Sequence, residues 1–260
     1  DKVVLIIGCG SVGPGWGNGR AMAVLFAREG AKIFGGDIDM AAAEETARLV
    51  REEGGTIDLY RVDVTDEAQV AAHVADVLDR FGGLDVAINN AGAAHPLMPL
   101  TEITLEEFDR MIAVNARGVF LGMKYQLPPM IAAGGGAILN IASAAGLVGA
   151  GHLAAYAAAK HAVVGLTRAA ADETARKGVR VNALCPAFAA TPLFDGIADA
   201  FAARRGTDRA DADEIISGRI PMARVATPEE VVQAMLWICA PENGFMTGQA
   251  IAVDGGLTAV

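Results

Sequence analysis

The sequence predicts a three-layer α/β fold, one parallel sheet with helices on both faces. Three observations predict it. Apolar runs of strand length alternate with helix-length segments along the whole chain. The runs are apolar throughout rather than every second residue, as strands covered on both faces require. Small or polar residues recur where each run ends, the edge at which open parallel sheets bind ligands. No Ser- or Pro-rich linker, internal repeat or low-complexity stretch divides the 260 residues, so a single domain over 1–260 is expected.

The elements follow in order. VVLIIG (3–8) is a strand closing on glycine. Residues 20–28 have helical spacing, with Ala21, Val24, Leu25 and Arg28 on one face. AKIFGGD (31–37) is the second strand, and residues 40–53 form a helix with Glu and Arg outward. TIDLYRVD (56–63), a helix over 66–81, and LDVAINNAG (84–92) come next. A long helix is expected over 105–123, a strand at AILNIAS (137–143) and a helix over 153–176. VRVNALCP (179–186) is the sixth strand, 228–239 a helix, and QAIAVDGG (249–256) the last strand. The least regular stretch, 187–225, reads either as a mobile cover over a site or as a surface helical pair.

Composition narrows the function. Apolar residues make up 53% and the formal net charge is −10; the first argues against disorder and the second against nucleic acid as a partner. Cys9, Cys185 and Cys239 are odd in number and lack CxxC spacing. The four histidines lack HExxH spacing, so neither a disulfide framework nor a metal site is expected. No uninterrupted apolar run reaches membrane-spanning length. A cytoplasmic protein with reduced thiols, and no membrane partner, is the expectation.

Residues 8–21, GCGSVGPGWGNGRA, contain a literal GxGxxG at Gly8, Gly10 and Gly13. Read as a complete phosphate fingerprint, it would start a helix near Gly10 and run that helix through Pro14, Gly15, Gly17 and Gly19. Glycine costs about 1 kcal/mol and proline about 3 kcal/mol at an interior helix position, so that register fails. The better register starts the helix at Gly17–Asn18–Gly19 and aims the N–H groups of Asn18 and Gly19 at a pyrophosphate. Gly8 then closes the strand. Residues 9–16 become a long loop in which Trp16 either anchors the chain or lies against a cofactor.

Asp37 ends the second strand, where a carboxylate accepts hydrogen bonds from both ribose hydroxyls of an adenosine and repels a 2′-phosphate. That favours NAD over NADP; Asp39 is the better cap for the following helix. Tyr156 and Lys160 stand four apart on one helix face, where an ammonium lowers a phenol pKa and suits it to proton exchange with an alcohol or ketone oxygen. Ser143 ends a strand thirteen residues before Tyr156, placed to bond the same oxygen. Asn115 sits inside a predicted helix, an uncomfortable place for an amide without a specific partner.

Together the Gly-rich turn, Asp37, Asp63, NNAG (89–92), Asn115, Ser143, YAAAK (156–160), NALCP (182–186) and TGQAIAVDGG (247–256) resemble the short-chain dehydrogenase/reductases over nearly the whole chain. The resemblance implies a Rossmann-like doubly wound sheet of about seven strands and an NAD-dependent alcohol dehydrogenase or ketone reductase. It implies Tyr156 as general acid/base and Lys160 lowering its pKa and bonding the nicotinamide ribose. Ser143 would polarise the substrate oxygen, and Asn115 would hold a relay water. It further implies cofactor contacts from Gly8, Gly17, Asn18, Gly19, Asp37, Ile38, Asp63, Val64, Asn89, Ala91, Gly92, Pro186, Ala189 and Thr191, and a homotetramer joined through the 105–123 and 153–176 helices and the last strand. Two departures from the family pattern stand out: Ala187 replaces a glycine, and the glycine loop, with Ile7 for threonine, is about five residues longer.

The substrate pocket is expected from His95, Leu97, residues 144–153, Phe188 and the 190s. Ala145, His152, Phe188 and Leu193 are candidate contacts, and the body is apolar. No arginine or lysine is expected in it, which disfavours a large anionic substrate. A secondary alcohol or ketone of small to medium size is the expected partner. Two alternatives stay open: a 3-oxoacyl-[acyl-carrier-protein] reductase, and a non-catalytic NAD-sensing protein on the same fold.

Overall fold

The structure, a computed structural model, describes residues 2–259. Its strands are β1 (Val3–Ile7), β2 (Lys32–Asp37), β3 (Thr56–Arg61), β4 (Val86–Asn89), β5 (Gly136–Ile141), β6 (Val179–Pro186) and β7 (Ala250–Val253). All pair in parallel, in the order β3-β2-β1-β4-β5-β6-β7. The order reverses at β1, whose neighbours are β2 and β4. The carboxyl ends of those strands therefore open the crevice in which such sheets hold ligands.

Helices α1 (Asn18–Arg28), α2 (Met40–Glu52) and α9 (Pro228–Cys239) cover one face. Helices α3 (Glu67–Phe81), α5 (Gly118–Ala132) and α6 (Ala154–Thr174) cover the other. β1 shows why both are needed: Val4 and Ile6 enter the first core, Val3, Leu5 and Ile7 the second. The period of two along a strand sends neighbours to opposite faces, so an unbroken apolar run needs two layers of helix.

Helix starts follow local chemistry. Asp39 caps α2 through Ala41 N–H and Ala42 N–H, as its position suggests, and Asp66 caps α3 in the same way. Thr227 and Glu230 form a reciprocal capping box on α9. The helix expected over 105–123 is longer and less uniform. It comprises α4 (Leu105–Met111), a π-helical segment Ile112–Arg117, and α5, which runs on to Ala132 through Pro128 and Pro129. Proline withholds an amide donor from the helix. Burial of Gln126 and Met130 nonetheless keeps this turn helical, since packing outweighs propensity. Residues 187–225 hold a helical pair, α7 (Pro192–Arg205) and α8 (Arg209–Ser217).

Candidate active site

The chain leaves β1 through Gly8, at φ +89°, where a side chain would be strained and where a Cβ would stand 2.6 Å from Ala91 N. Asn90 Nδ2 donates to Gly8 O at 2.6 Å, and Gly10 N–H donates to Asp37 Oδ2 at 2.8 Å. Helix α1 begins at Asn18 with Gly17 as its N-cap, as the cost of the alternative register requires. Gly19 packs so closely that a Cβ there would fall on the carbonyl oxygens of Gly8 and Gly10. No side chain caps α1 and no acidic residue lies in its first turn, so its amide donors face the crevice free for an anion. Ser11 Oγ, Asn18 Oδ1 and Arg20 Nε are buried there without partners among the described residues. Arg20 secures the loop by donating to Gly15 O, while Trp16 is 37% exposed and does not line the main cavity.

Asp37 Oδ1 also accepts Asp39 N–H at 3.0 Å, so both oxygens are oriented at the tip of β2. Ile38 is exposed beside it. Asp63 turns back on its own chain, accepting Thr65 N–H at 2.8 Å and Thr65 Oγ1 at 2.7 Å. Val64 packs on Gly118. Asn89 differs from expectation. Its amide is buried between Gln126 Oε1 (3.1 Å) and Asn140 Oδ1 (2.8 Å), in a polar chain that continues to Thr167. Strand alternation turns Asn89 under α5, and Asn90 takes the cleft position.

The other strand ends converge on one cavity of about 600 Å³ lined by Asn18, Asn90, Gly92, Asn115, Ser143, Tyr156, Lys160, Pro186, Ala189 and Thr191. The π-helical segment carries Asn115, fully buried. Its side chain pairs with Ala93 in both directions, Nδ2 to Ala93 O at 2.9 Å and Ala93 N–H to Oδ1 at 3.1 Å. A π-segment is a common device for turning a functional side chain inward. Gly92 lies against both Asn115 Oδ1 and Lys160 Nζ. Ser143, just past β5, caps a short turn by accepting Ala145 N–H at 3.2 Å. Thr191 caps α7 by accepting Phe194 N–H at 3.3 Å.

Tyr156 and Lys160 share the α6 face as the spacing requires, with Nζ 5.6 Å from the ring centre. Lys160 Nζ donates to Ile141 O at 2.8 Å, and burial pushes its pKa down to about 8. Tyr156 departs from expectation: burial pushes the phenol up, Ser143 pulls it down, and the net direction is up. Taking a phenolate out of water costs more than these neighbours return.

The substrate end also corrects the sequence reading. Ala145, His152, Phe188 and Leu193 line the cavity; His95 does not. His95 is buried, with Nδ1 2.7 Å from Pro96 O and Nε2 unpartnered. α7 and α8 form a wall of this cavity, and with them come Arg204, Arg205 and Arg219, cations the sequence reading left out. Among the described residues no group of three or more His, Cys, Asp or Glu is arranged to hold a metal.

The sequence family described as enoyl-(acyl carrier protein) reductase matches residues 14–258. A crystal structure assigned to the short-chain dehydrogenase/reductases, from Burkholderia xenovorans, superposes with a TM-score of 0.93 at 40% identity, covering 100% of this chain and 97% of that one. The chain is a short-chain dehydrogenase/reductase. Within the family it is similar to a 2,5-dichloro-2,5-cyclohexadiene-1,4-diol dehydrogenase of Sphingobium indicum, at 39% identity over 100% of this chain and 98% of the relative. It is similar in the same measure, 39% over 100% and 98%, to a cis-4-hydroxycyclohexanecarboxylate dehydrogenase of Sinomonas cyclohexanicum.

Two features of this short-chain dehydrogenase/reductase escaped the sequence reading. Arg20 looked like an ordinary first-turn residue. The arginines lay in a stretch without an assigned period; the Leu193–Ile197–Phe201 spacing would have placed Arg204 and Arg205 on the same helix face.

Proposed function

We propose that the protein is an NAD-dependent oxidoreductase that moves a hydride between NAD(H) and a secondary alcohol or ketone, with Tyr156 exchanging the proton. The observation that carries this reading is the single cavity shared by Asn115, Ser143, Tyr156, Lys160 and Asn18 at the uncapped start of α1. Two similar solved proteins, an actinorhodin polyketide ketoreductase and ElxO, hold NADPH and NADP, and the residues here fit a nicotinamide cofactor. Gly8 and Gly19 leave no room for side chains, the α1 amides are free, and Ser11 and Asn18 offer unpartnered polar atoms. Each Asp37 oxygen keeps a lone pair for a ribose hydroxyl, and its charge opposes a 2′-phosphate.

When bound, the nicotinamide supplies or accepts the hydride. Ser143 Oγ holds the substrate oxygen. In reduction the Tyr156 phenol gives its proton to the carbonyl oxygen; in oxidation the phenolate takes it from the hydroxyl. Lys160 presents an ammonium beside that ring. Asn115 orders the Ala93–Gly92 backbone against Lys160, on the route by which the proton is replaced. Because the phenol pKa is raised, oxidation speeds up and reduction slows as pH rises, which a pair of pH–rate profiles checks.

Alicyclic secondary alcohols are the first substrates to try, because the similar proteins named above act on ring alcohols and the cavity wall at Ala145, Val148, Phe188 and Leu193 is apolar. NADH formation with NAD and NADP over such a panel tests activity and cofactor choice together. Tyr156→Phe loses turnover about a thousandfold, within the usual range for a general acid/base, and keeps NAD affinity within about twofold. Retained turnover overturns the mechanism. A 3-oxoacyl-[acyl-carrier-protein] reductase is the second reading, favoured by 38% identity to a 3-oxoacyl-[acyl-carrier-protein] reductase of Thermotoga maritima over 98% of this chain and 97% of that one; faster turnover of a 3-oxoacyl thioester with NADPH would select it. Assembly as a tetramer is supported by exposed Phe108 and Phe120 on α4 and α5 and by exposed Trp237 and Phe245 on and just after α9. Light scattering tests it.

A further inference from the structure

We infer that the α7–α8 wall of the cavity is an anion subsite, so that the substrate carries a carboxylate at the end away from its reacting carbon. This rests on the proposed role of Tyr156 for the orientation of the substrate, though not for the existence of the subsite. The cavity-facing stripe of α7 changes character along its length. Leu193, Ile197 and Phe201 recur every four residues and are followed by Arg204 and Arg205. At 1.5 Å rise per residue, Leu193 and Arg204 are about 16 Å apart along the axis. Thr191, the N-cap of α7, follows the last residue of β6 by five positions, and Arg204 and Arg205 close the opposite end of the helix. Arg219, just past α8, reaches the same cavity. An alicyclic body against the apolar stripe would set an anionic tail among these side chains.

Charge pairing separates these arginines from their neighbour. Arg209, in the same helical pair, is neutralised by Asp195 at 2.7 Å, Asp199 at 3.0 Å and Asp213 at 2.9 Å. Among the described residues Arg204, Arg205 and Arg219 form no ion pair. Arg204 gives one bond to Leu97 O at 3.3 Å, Leu97 also lining the cavity, and Arg205 lies 5.0 Å over the Phe201 ring. Cations in a last helical turn complement the helix dipole, which accounts for their place along α7. It does not account for a third arginine meeting them on one cavity in a chain of net charge −10. The planar guanidinium fork suits a carboxylate in particular.

Calorimetric titration of the full chain with NADH present, using cyclohexanecarboxylate and cyclohexanecarboxamide, tests this without requiring turnover. The carboxylate is expected to bind about tenfold more tightly, the usual scale for one charge-assisted contact, and added salt weakens it alone. Combined Arg204→Gln, Arg205→Gln and Arg219→Gln brings the two ligands within about twofold. The single exposed changes Arg205→Gln and Arg219→Gln each reduce the preference should the triple variant fail to fold. Arg176→Gln, outside the cavity, keeps the wild-type preference. Equal affinities, no carboxylate binding, a preference untouched by the variants, or tighter binding of cyclohexyl phosphate each overturn the assignment. Absence of NADH formation from alicyclic alcohols both with and without a carboxylate counts against the oxidoreductase reading and leaves the subsite to stand or fall on the titration.

Discussion

The glycine loop (8–17) and the α7–α8 pair both overhang the carboxyl edge of the sheet, but they are held in different ways. The loop is fixed by backbone. Gly8 takes a left-handed φ against Ala91, Gly10 N–H is tied to Asp37, and Gly19 leaves no space before the carbonyls of Gly8 and Gly10. The helical pair is fixed by side chains: Phe194, Ala198 and Ile216 form a small separate core, and Arg209 gathers three aspartates at the surface. Backbone constraints tolerate almost no substitution, so that region suits an invariant ligand. Side-chain packing can be rebuilt residue by residue, so the other region suits a variable one.

The sharpest way to break this contrast is Gly19→Ala. The methyl group has nowhere to go, and we expect NAD affinity to fall more than about a hundredfold, with stability lower by about 2–4 kcal/mol, the scale of overpacking with backbone movement. Ile197→Ala on the cover should instead raise the substrate KM and leave NAD affinity within about threefold. Comparable losses of NAD binding by calorimetry in both variants would end the distinction.

A pH test probes packing outside both regions, where β2 and β3 meet α3. His73 on α3 is fully buried between Phe34 (5.0 Å) and Tyr60 (5.2 Å), with neither ring nitrogen partnered. Burial pushes its pKa down from 6.5 to about 3. The unfolded chain therefore binds this proton first as pH falls, and stability drops between pH 6.5 and 3 by up to about 1.4 kcal/mol per pH unit. Above 6.5 the contribution is constant. His73→Leu should flatten the acid limb of a urea-midpoint profile; an unchanged slope places the acid sensitivity elsewhere. The smallest effect belongs to Arg209→Gln. Its ion pairs are solvent-exposed, so the loss is at most about 1 kcal/mol. It should appear as faster hydrogen exchange in α7 and α8 with none in α1.

Legibility in the sequence divides along the same line. The start of α1 could be placed because the cost of glycine and proline inside a helix is local and large. The family resemblance added Asn115 to Ser143 and the Tyr156–Lys160 pair, which could be picked out because one follows a strand and the others share a helix face. The Asp39 cap was legible for the same reason. His95 was misplaced because adjacency to NNAG says nothing about which way a loop residue turns. That Asn89 braces the sheet and faces away from the cavity depends on partners, Gln126 and Asn140, that are 37 and 51 residues away. The helix over 105–123 stopped short because only burial of Gln126 and Met130 carries it past two prolines.

By itself the sequence determined the doubly wound parallel sheet and the register of the glycine loop. These depend on periodicity, conformational cost and spacing along one chain. Only the tertiary structure decided which asparagine faces the cleft, that burial raises the Tyr156 pKa, and that three arginines share the cavity with it. Those depend on desolvation and on contacts between segments far apart in sequence, and neither is written in any local stretch of residues.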